Sequence, residues 1–372
     1  MNLRVAAVLL LLATPGCTGP APAARDGERR LLYVAAPGIR NYLEWGGAGI
    51  LIYDIDRGHA LVRRIPVSYM DAQDSEGKAP ENVKGICASA RTKRLYVSTI
   101  TRMACIDLVS EKLLWVKRYP NGCDRMSITP DGRKIYLPTF EKDDWHVVDG
   151  ETGEVTAKVS PKSGAHNTVM ALDGSKVYLA GLKSPLLRVV DTKTDQIVRE
   201  IPFSAAVRPF TVNGTSTKAY ACVNELLGFE VGDVESGKFL HRVEVPGYQK
   251  GPVKRHGCPS HGVGLTPDEK EVWAVDAFNK AVHVFDNTTM PPRYVQTIRP
   301  LIDDPGWVTF TLKGDFAYPS TGDVIDPRSK KIVARLKDEQ GRDVQSEKVI
   351  EIDWAGGAPV RNGDQFGIGR VP

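Results

Sequence analysis

The sequence predicts an all-β fold, a seven-bladed β-propeller of four-stranded antiparallel blades, on three recurring features. An apolar pair closed by aspartate returns seven times, at Asp54, Asp107, Asp149, Asp191, Asp233, Asp286 and Asp326, with a period of about 42 residues and two insertions of about 11. An aromatic residue keeps step with it, at Tyr33, Tyr96, Tyr136, Tyr178, Tyr220, Trp273 and Tyr318, within short β-rich runs such as RLYVST and KVYLAG. Turn residues precede five of these runs: TPDG at 129–132, ALDG at 171–174, NGTS at 213–216, TPDE at 266–269 and TLKG at 311–314.

Each unit therefore contains a strand before the turn, a strand carrying the aromatic residue, a strand ending in aspartate and a charged outer strand such as EVTAKV or QIVREI. Four short strands repeated seven times make a propeller, and no helical periodicity competes. The aspartate is placed to cap the turn that follows it through its carboxylate. The first unit lacks an innermost strand, because only ARDGERRLL stands before Tyr33, whereas VQSEKVIEIDWAGG follows the last unit as one strand too many. Residues from about Lys348 to Trp354 are thus expected to supply the inner strand of the first blade and close the ring without an open edge. The propeller is bounded at 31–355, with a C-terminal tail, 356–372, packed on or near it.

The leader MNLRVAAVLLLLATPGC has one basic residue, Arg4, and an apolar run from Val5 to Ala13, too short to span a bilayer and right for a secretory signal. A signal peptide over 1–17 would end at the lipobox-like TPGC, with Cys17 as the lipidation site. Signal peptidase cleavage after Ala23 in APA is the alternative, and Thr14 stands where a lipobox usually has leucine. Residues 18–30 read as a flexible tether. The chain is expected to be exported, as a periplasmic or outer-membrane, cell-surface lipoprotein that meets the membrane only through its lipid anchor and is monomeric. Of 372 residues, 42% are hydrophobic and 25% charged, a globular balance. The net charge of +4 comes without a long basic block, so nucleic acid is not an expected partner. Beyond Cys17 the cysteines are Cys87, Cys105, Cys123, Cys222 and Cys258, an odd set without CxxC spacing, read as buried free thiols.

The units LYVSTITRMACIDLVSEKLL, ITPDGRKIYLPTFEKDDWHVVDGETGEV and VYLAGLKSPLLRVVDTKTDQIV resemble the YVTN-type β-propeller repeats of YncE-like secreted bacterial proteins, over roughly residues 31 to 355. The resemblance implies a secreted or surface seven-bladed propeller, related in fold to lactonase-like propellers and quinoprotein dehydrogenase subunits. The tetrapeptide that names the repeat is degenerate here (YVST, YLPT, YLAG, YPST), and the family carries no shared catalytic set.

In a propeller the starts of the inner strands surround one mouth of the central channel, the default binding face. Counting back six residues from each turn aligns Lys84, Asp124, His166, Arg208, His261 and Gly306, followed by Gly85, Arg125, Asn167, Pro209, Gly262 and Trp307. Polar residues at one repeat position resist explanation by packing, although a wet channel could need them only for solvation. Three chemistries fit. A binding site for a small anionic molecule or peptide would use Lys84, Arg125 and Arg208, with Asn82, Asn167, Glu225 and Trp307, and Lys250, Lys254 and Arg255 nearby. A lactonase-like hydrolase would use His166 or His261 as general base, Asp124 or Glu225 to orient it and Arg208 to stabilise an oxyanion; no G-x-S-x-G elbow supports covalent catalysis. A divalent transition metal, the one cofactor considered, would take His166, His256, Cys258 and His261 from HGCPSH and its ring neighbour, a spacing that matches no standard finger.

Overall fold

The computed structural model describes residues 27–40, 42–67, 80–252, 257–299 and 301–372. The leader, Cys17, the cleavage site after Ala23 and His256 lie outside the described residues. The chain forms seven antiparallel sheets arranged as blades, and one 3₁₀ turn, Ile55–Arg57, is the only helical element among the described residues.

The second blade shows the plan. From the channel outward it runs Val83–Ser89, Arg94–Thr99, Arg102–Asp107 and Leu113–Arg118. Its two middle strands are buried almost throughout because both faces lie against neighbouring blades. Its outer strand alternates exposed and half-buried residues, as a rim strand must. The aspartate closing each third strand caps the next turn as its recurrence suggests. Asp107 accepts from Ser110 N at 2.7 Å, Asp149 from Thr152 N at 2.7 Å, Asp191 from Thr194 N at 2.9 Å and Asp233 from Ser236 N at 2.7 Å. Asp54 departs from the pattern; its turn is the 3₁₀ segment, and its carboxylate pairs with Arg29 instead.

Four of the second-strand aromatics bolt blades together. Tyr96 donates its hydroxyl to Gly150 O at 2.8 Å, Tyr136 to Asp195, Tyr220 to Asn287 Oδ1 at 3.0 Å, and Tyr318 meets His59 Nε2 at 2.8 Å. In all four cases the partner sits in the loop after the third strand of the next blade. A buried ring thus fills the interface while its hydroxyl is satisfied across it.

The ring closes between the two ends of the described chain. Val349–Ala355 pairs antiparallel with Arg29–Ala36, matching Tyr33 with Ile350 and Leu31 with Ile352. The first strand begins at Arg29, two residues before the boundary drawn from sequence, because Arg29 pairs with Asp54 and Arg30 is held by Glu351, Asp315 and Asp56. This sheet has a fifth member: Ala358–Asn362 pairs with the inner strand from the channel side. The following residues run across that end of the channel as a plug. Gly367 O accepts from Leu265 N at 2.8 Å, and Gly369 N donates to Val212 O at 3.0 Å. Phe366 and Ile368 are buried in the core between the fourth and fifth blades.

Ile352 is fully buried at the closure. Replacing it with alanine is expected to cost about 2–5 kcal/mol, the range for a buried aliphatic truncation. Urea denaturation measures it; a loss below about 1 kcal/mol would mean that the strand is an accessory rather than the clasp of the ring.

Candidate functional site

The sheet registers define the channel mouth. In the seven blades the second-strand aromatic pairs with Ile350, Cys87, Ser127, Val169, Thr211, Gly264 and Thr309 in turn. Three positions before these stand Glu347, Lys84, Asp124, His166, Arg208, His261 and Gly306. The six residues aligned by turn spacing therefore share one register. The first blade adds Glu347, followed by Lys348, which sequence reasoning missed. The signal was present: once the inner strand is placed from Lys348 onward, the residues at its start inherit the ring position.

Two local devices turn this ring toward the channel. The ladder slips between Val83 and Gly85, between Ala165 and Asn167 and between Val207 and Phe210, so Lys84, His166 and Arg208 fall on bulges. A bulged residue is released from the alternation of the strand and its side chain is re-aimed. At the next position small residues bring successive inner strands together. A Cβ at Gly262 would lie 2.7 Å from Trp307 Cα, and one at Gly85 would lie 3.0 Å from Arg125 Cα.

Asp124 and His166, one repeat apart, meet as a buried pair with Nδ1 to Oδ2 at 2.6 Å. Burial opposes ionisation of Asp124, yet His166, Lys84 and Arg125 together hold its carboxyl down at about 2. Burial likewise drives the His166 pKa below its ordinary value, with Arg125 and Lys84 adding to the effect and Asp124 opposing it. The pair is thus carboxylate and neutral imidazole near pH 7, with the proton on Nδ1 donated to Asp124. That leaves Nε2 as the acceptor, 3.5 Å from Arg125 Nη1.

Arg125 is the hub. Its guanidinium lies over the Trp307 ring at 4.4 Å and pairs with Glu347 through Nη2. Glu347 also takes Lys348 Nζ at 3.0 Å, and the same ammonium donates to Gly38 O at 2.7 Å. Burial pushes the Lys348 pKa down to about 7, against the pull of Glu347 and with the push of Arg125 and Lys84. Arg125 Nε and both side-chain polar atoms of fully buried Asn167 have no hydrogen-bond partner. Such groups cost about 1–3 kcal/mol each unless water or a ligand meets them.

Other expected site residues fall differently. Trp307 does not offer a free ring: one face is taken by Arg125, its Nε1 donates to Gln365 O and Phe366 packs against it edge-on at 5.8 Å. Glu225 stands outside the ring with its side chain 65% exposed and paired with Lys250. Asn82 is half-buried at the edge of the inner strand, its Oδ1 enclosed without a partner. Arg208 donates to Asn224 Oδ1 at 2.6 Å, and His261 Nδ1 to Gly306 O at 3.2 Å. Cys258 turns into the core toward Val223 O and Ser260 O, in one buried cluster with Cys222. Among the described residues no three histidine, cysteine, aspartate or glutamate side chains gather as metal ligands, so His166, Cys258 and His261 do not form a donor set there.

No model of a known protein family matches the chain, and no curated protein sequence does.

NMR of the imidazole nitrogens tests the electrostatics. His166 is expected to hold its proton on Nδ1 at neutral pH and to titrate below about 6.5. Asp124→Asn should lower that pKa further and Arg125→Ala should raise it; both ring nitrogens protonated at neutral pH would mean that the pair is an ionic one.

Proposed function

We propose that the protein is an exported propeller that binds a small anion, a carboxylate or phosphate, at the mouth of its channel. The carrying observation is the ring itself. Lys84, Arg125, Arg208 and Lys348 supply four basic side chains, the last only partly protonated near pH 7, against two carboxylates, Asp124 and Glu347, at adjacent repeat positions. Unpartnered donors on Arg125 and Asn167 favour an acceptor-rich guest, since an anion satisfies them while offsetting the excess charge. Burial strengthens each contact, because little water remains to screen it. The likeness to YVTN-type repeats and the signal-like leader support export and a binding role, with the tether between leader and propeller.

Isothermal titration with phosphate, malonate and citrate checks this reading. One anion is expected to bind at one site per chain, more weakly as salt rises. Lys84→Ala should weaken it by roughly tenfold or more, the worth of a charge-assisted hydrogen bond. Absence of any saturable binding across these acids would discard the reading.

A hydrolase is the second reading, favoured by the 2.6 Å contact between Asp124 and His166, since an oriented neutral imidazole is a general base. Its Nε2 faces Arg125, so the guanidinium would have to follow the substrate's anionic group for that nitrogen to reach water. Lactone or ester turnover that disappears in Asp124→Asn while anion binding persists would select this reading.

A further inference from the structure

We propose that the opposite end of the channel holds a second ligand site, a cleft that takes an amphiphilic carboxylate beside the C-terminal plug. Its cavity measures about 320 Å³, at the lower end of the volumes of small-molecule sites, about 300–1,000 Å³. The cleft exists because the plug is lopsided. Across the fifth and sixth blades the tail is bonded to the inner strands at Val212 and Leu265, one residue after the ladder partners of Tyr220 and Trp273. In the second, third and fourth blades the counterparts are Ala88, Ile128 and Met170, and these line the cleft. The cleft thus lies between these inner-strand ends and the tail, whose residues 360–370 form its other wall and which reaches the second and third blades through the side chains of Asn362 and Gln365.

The wall chemistry selects the guest. Ile128, Met170 and Leu172 face Phe366 and Ile368 of the tail and ask for an apolar body. At the rim stand three guanidinium groups. Arg361 pairs with Asp353 and Arg370 with Asp364, whereas Arg91 is exposed, with Asp131 as its nearby counter-charge. A carboxylate at the outer end of the guest meets Arg91 with the bidentate geometry guanidinium favours. Gln365 adds a polar spot. It is buried, donates Nε2 to Met126 O, and keeps Oε1 without a partner, an acceptor that a hydroxyl on the guest or a water can reach. The layer of Gln365 and Trp307 stands between this cleft and Arg125, so the two sites lie at opposite ends of one blocked channel.

The test uses the mature protein with ¹³C-labelled methionine methyl groups and octanoate as probe. Octanoate at millimolar concentration is expected to shift the Met170 methyl signal saturably and to leave Met103 and Met290 where they are. Octylamine should not shift it. Arg91→Glu, a surface change without consequence for folding, should weaken octanoate by up to about fivefold, the worth of an exposed ion pair; Leu172→Trp, which fills the cleft, should abolish the shift. Lys84→Ala, at the other mouth, should leave it unchanged. A Met170 signal that does not move with octanoate, or that moves equally in Arg91→Glu and with octylamine, overturns the proposal.

Discussion

The antiparallel pairing of Val349–Ala355 with Arg29–Ala36 is the constraint on which the rest of this molecule depends. A propeller blade cannot bury both faces of its middle strands without a neighbour on each side, so seven blades are stable only as a closed circle. Here the circle is closed by hydrogen bonds within one sheet rather than by packing alone. Arg30, Glu351 and Asp315 add an enclosed ionic knot at the same seam. Little solvent reaches Glu351, and that burial pushes its carboxyl up to about 7 despite Arg30.

The same pairing builds the mouth. Its register sets Glu347 and Lys348 at the positions that other blades give to Lys84 and Gly85 or to Asp124 and Arg125. Arg125 can then reach from the third blade to Glu347 of the first, across the channel rather than along a strand. The site is therefore a product of closure: in an open arc its central ion pair has no second partner, and Arg125 would be a solvated surface residue.

How far the sequence reveals this follows from the range of each interaction. The turn motifs, the aromatic positions and the capping aspartates are local, written within one unit, and repetition makes them readable; seven blades, the closing strand and six of the seven ring residues were legible on that basis. The contacts that decide chemistry are not local. Asp124 and His166 sit one repeat apart, so the ring alignment offers that pair, although His261 stood beside His166 as an equal candidate; Arg125 and Glu347 lie 222 positions apart and have no spacing to detect. Trp307 illustrates the cost of reading a side chain without its partners. An aromatic residue at a channel mouth suggests a stacking platform for a guest, yet the guanidinium beside it and the returning tail below it are the groups it stacks on and bonds to. Glu225 fails for a related reason: its loop is near the ring, but its left-handed backbone turns it to the rim, toward Lys250.

Closure between distant strands also bears on how the chain reaches this state. A polypeptide interrupted after Lys331–Arg335 but before residue 349 is left with six complete blades and a first sheet whose inner edge, Arg29–Ala36, has nothing to pair with. Such an edge is apolar, long and uncovered, the kind that recruits other chains. The architecture thereby distinguishes finished from unfinished chains without any sensor: only a molecule that holds both ends conceals its adhesive edge, and every shorter one advertises it to proteases and chaperones.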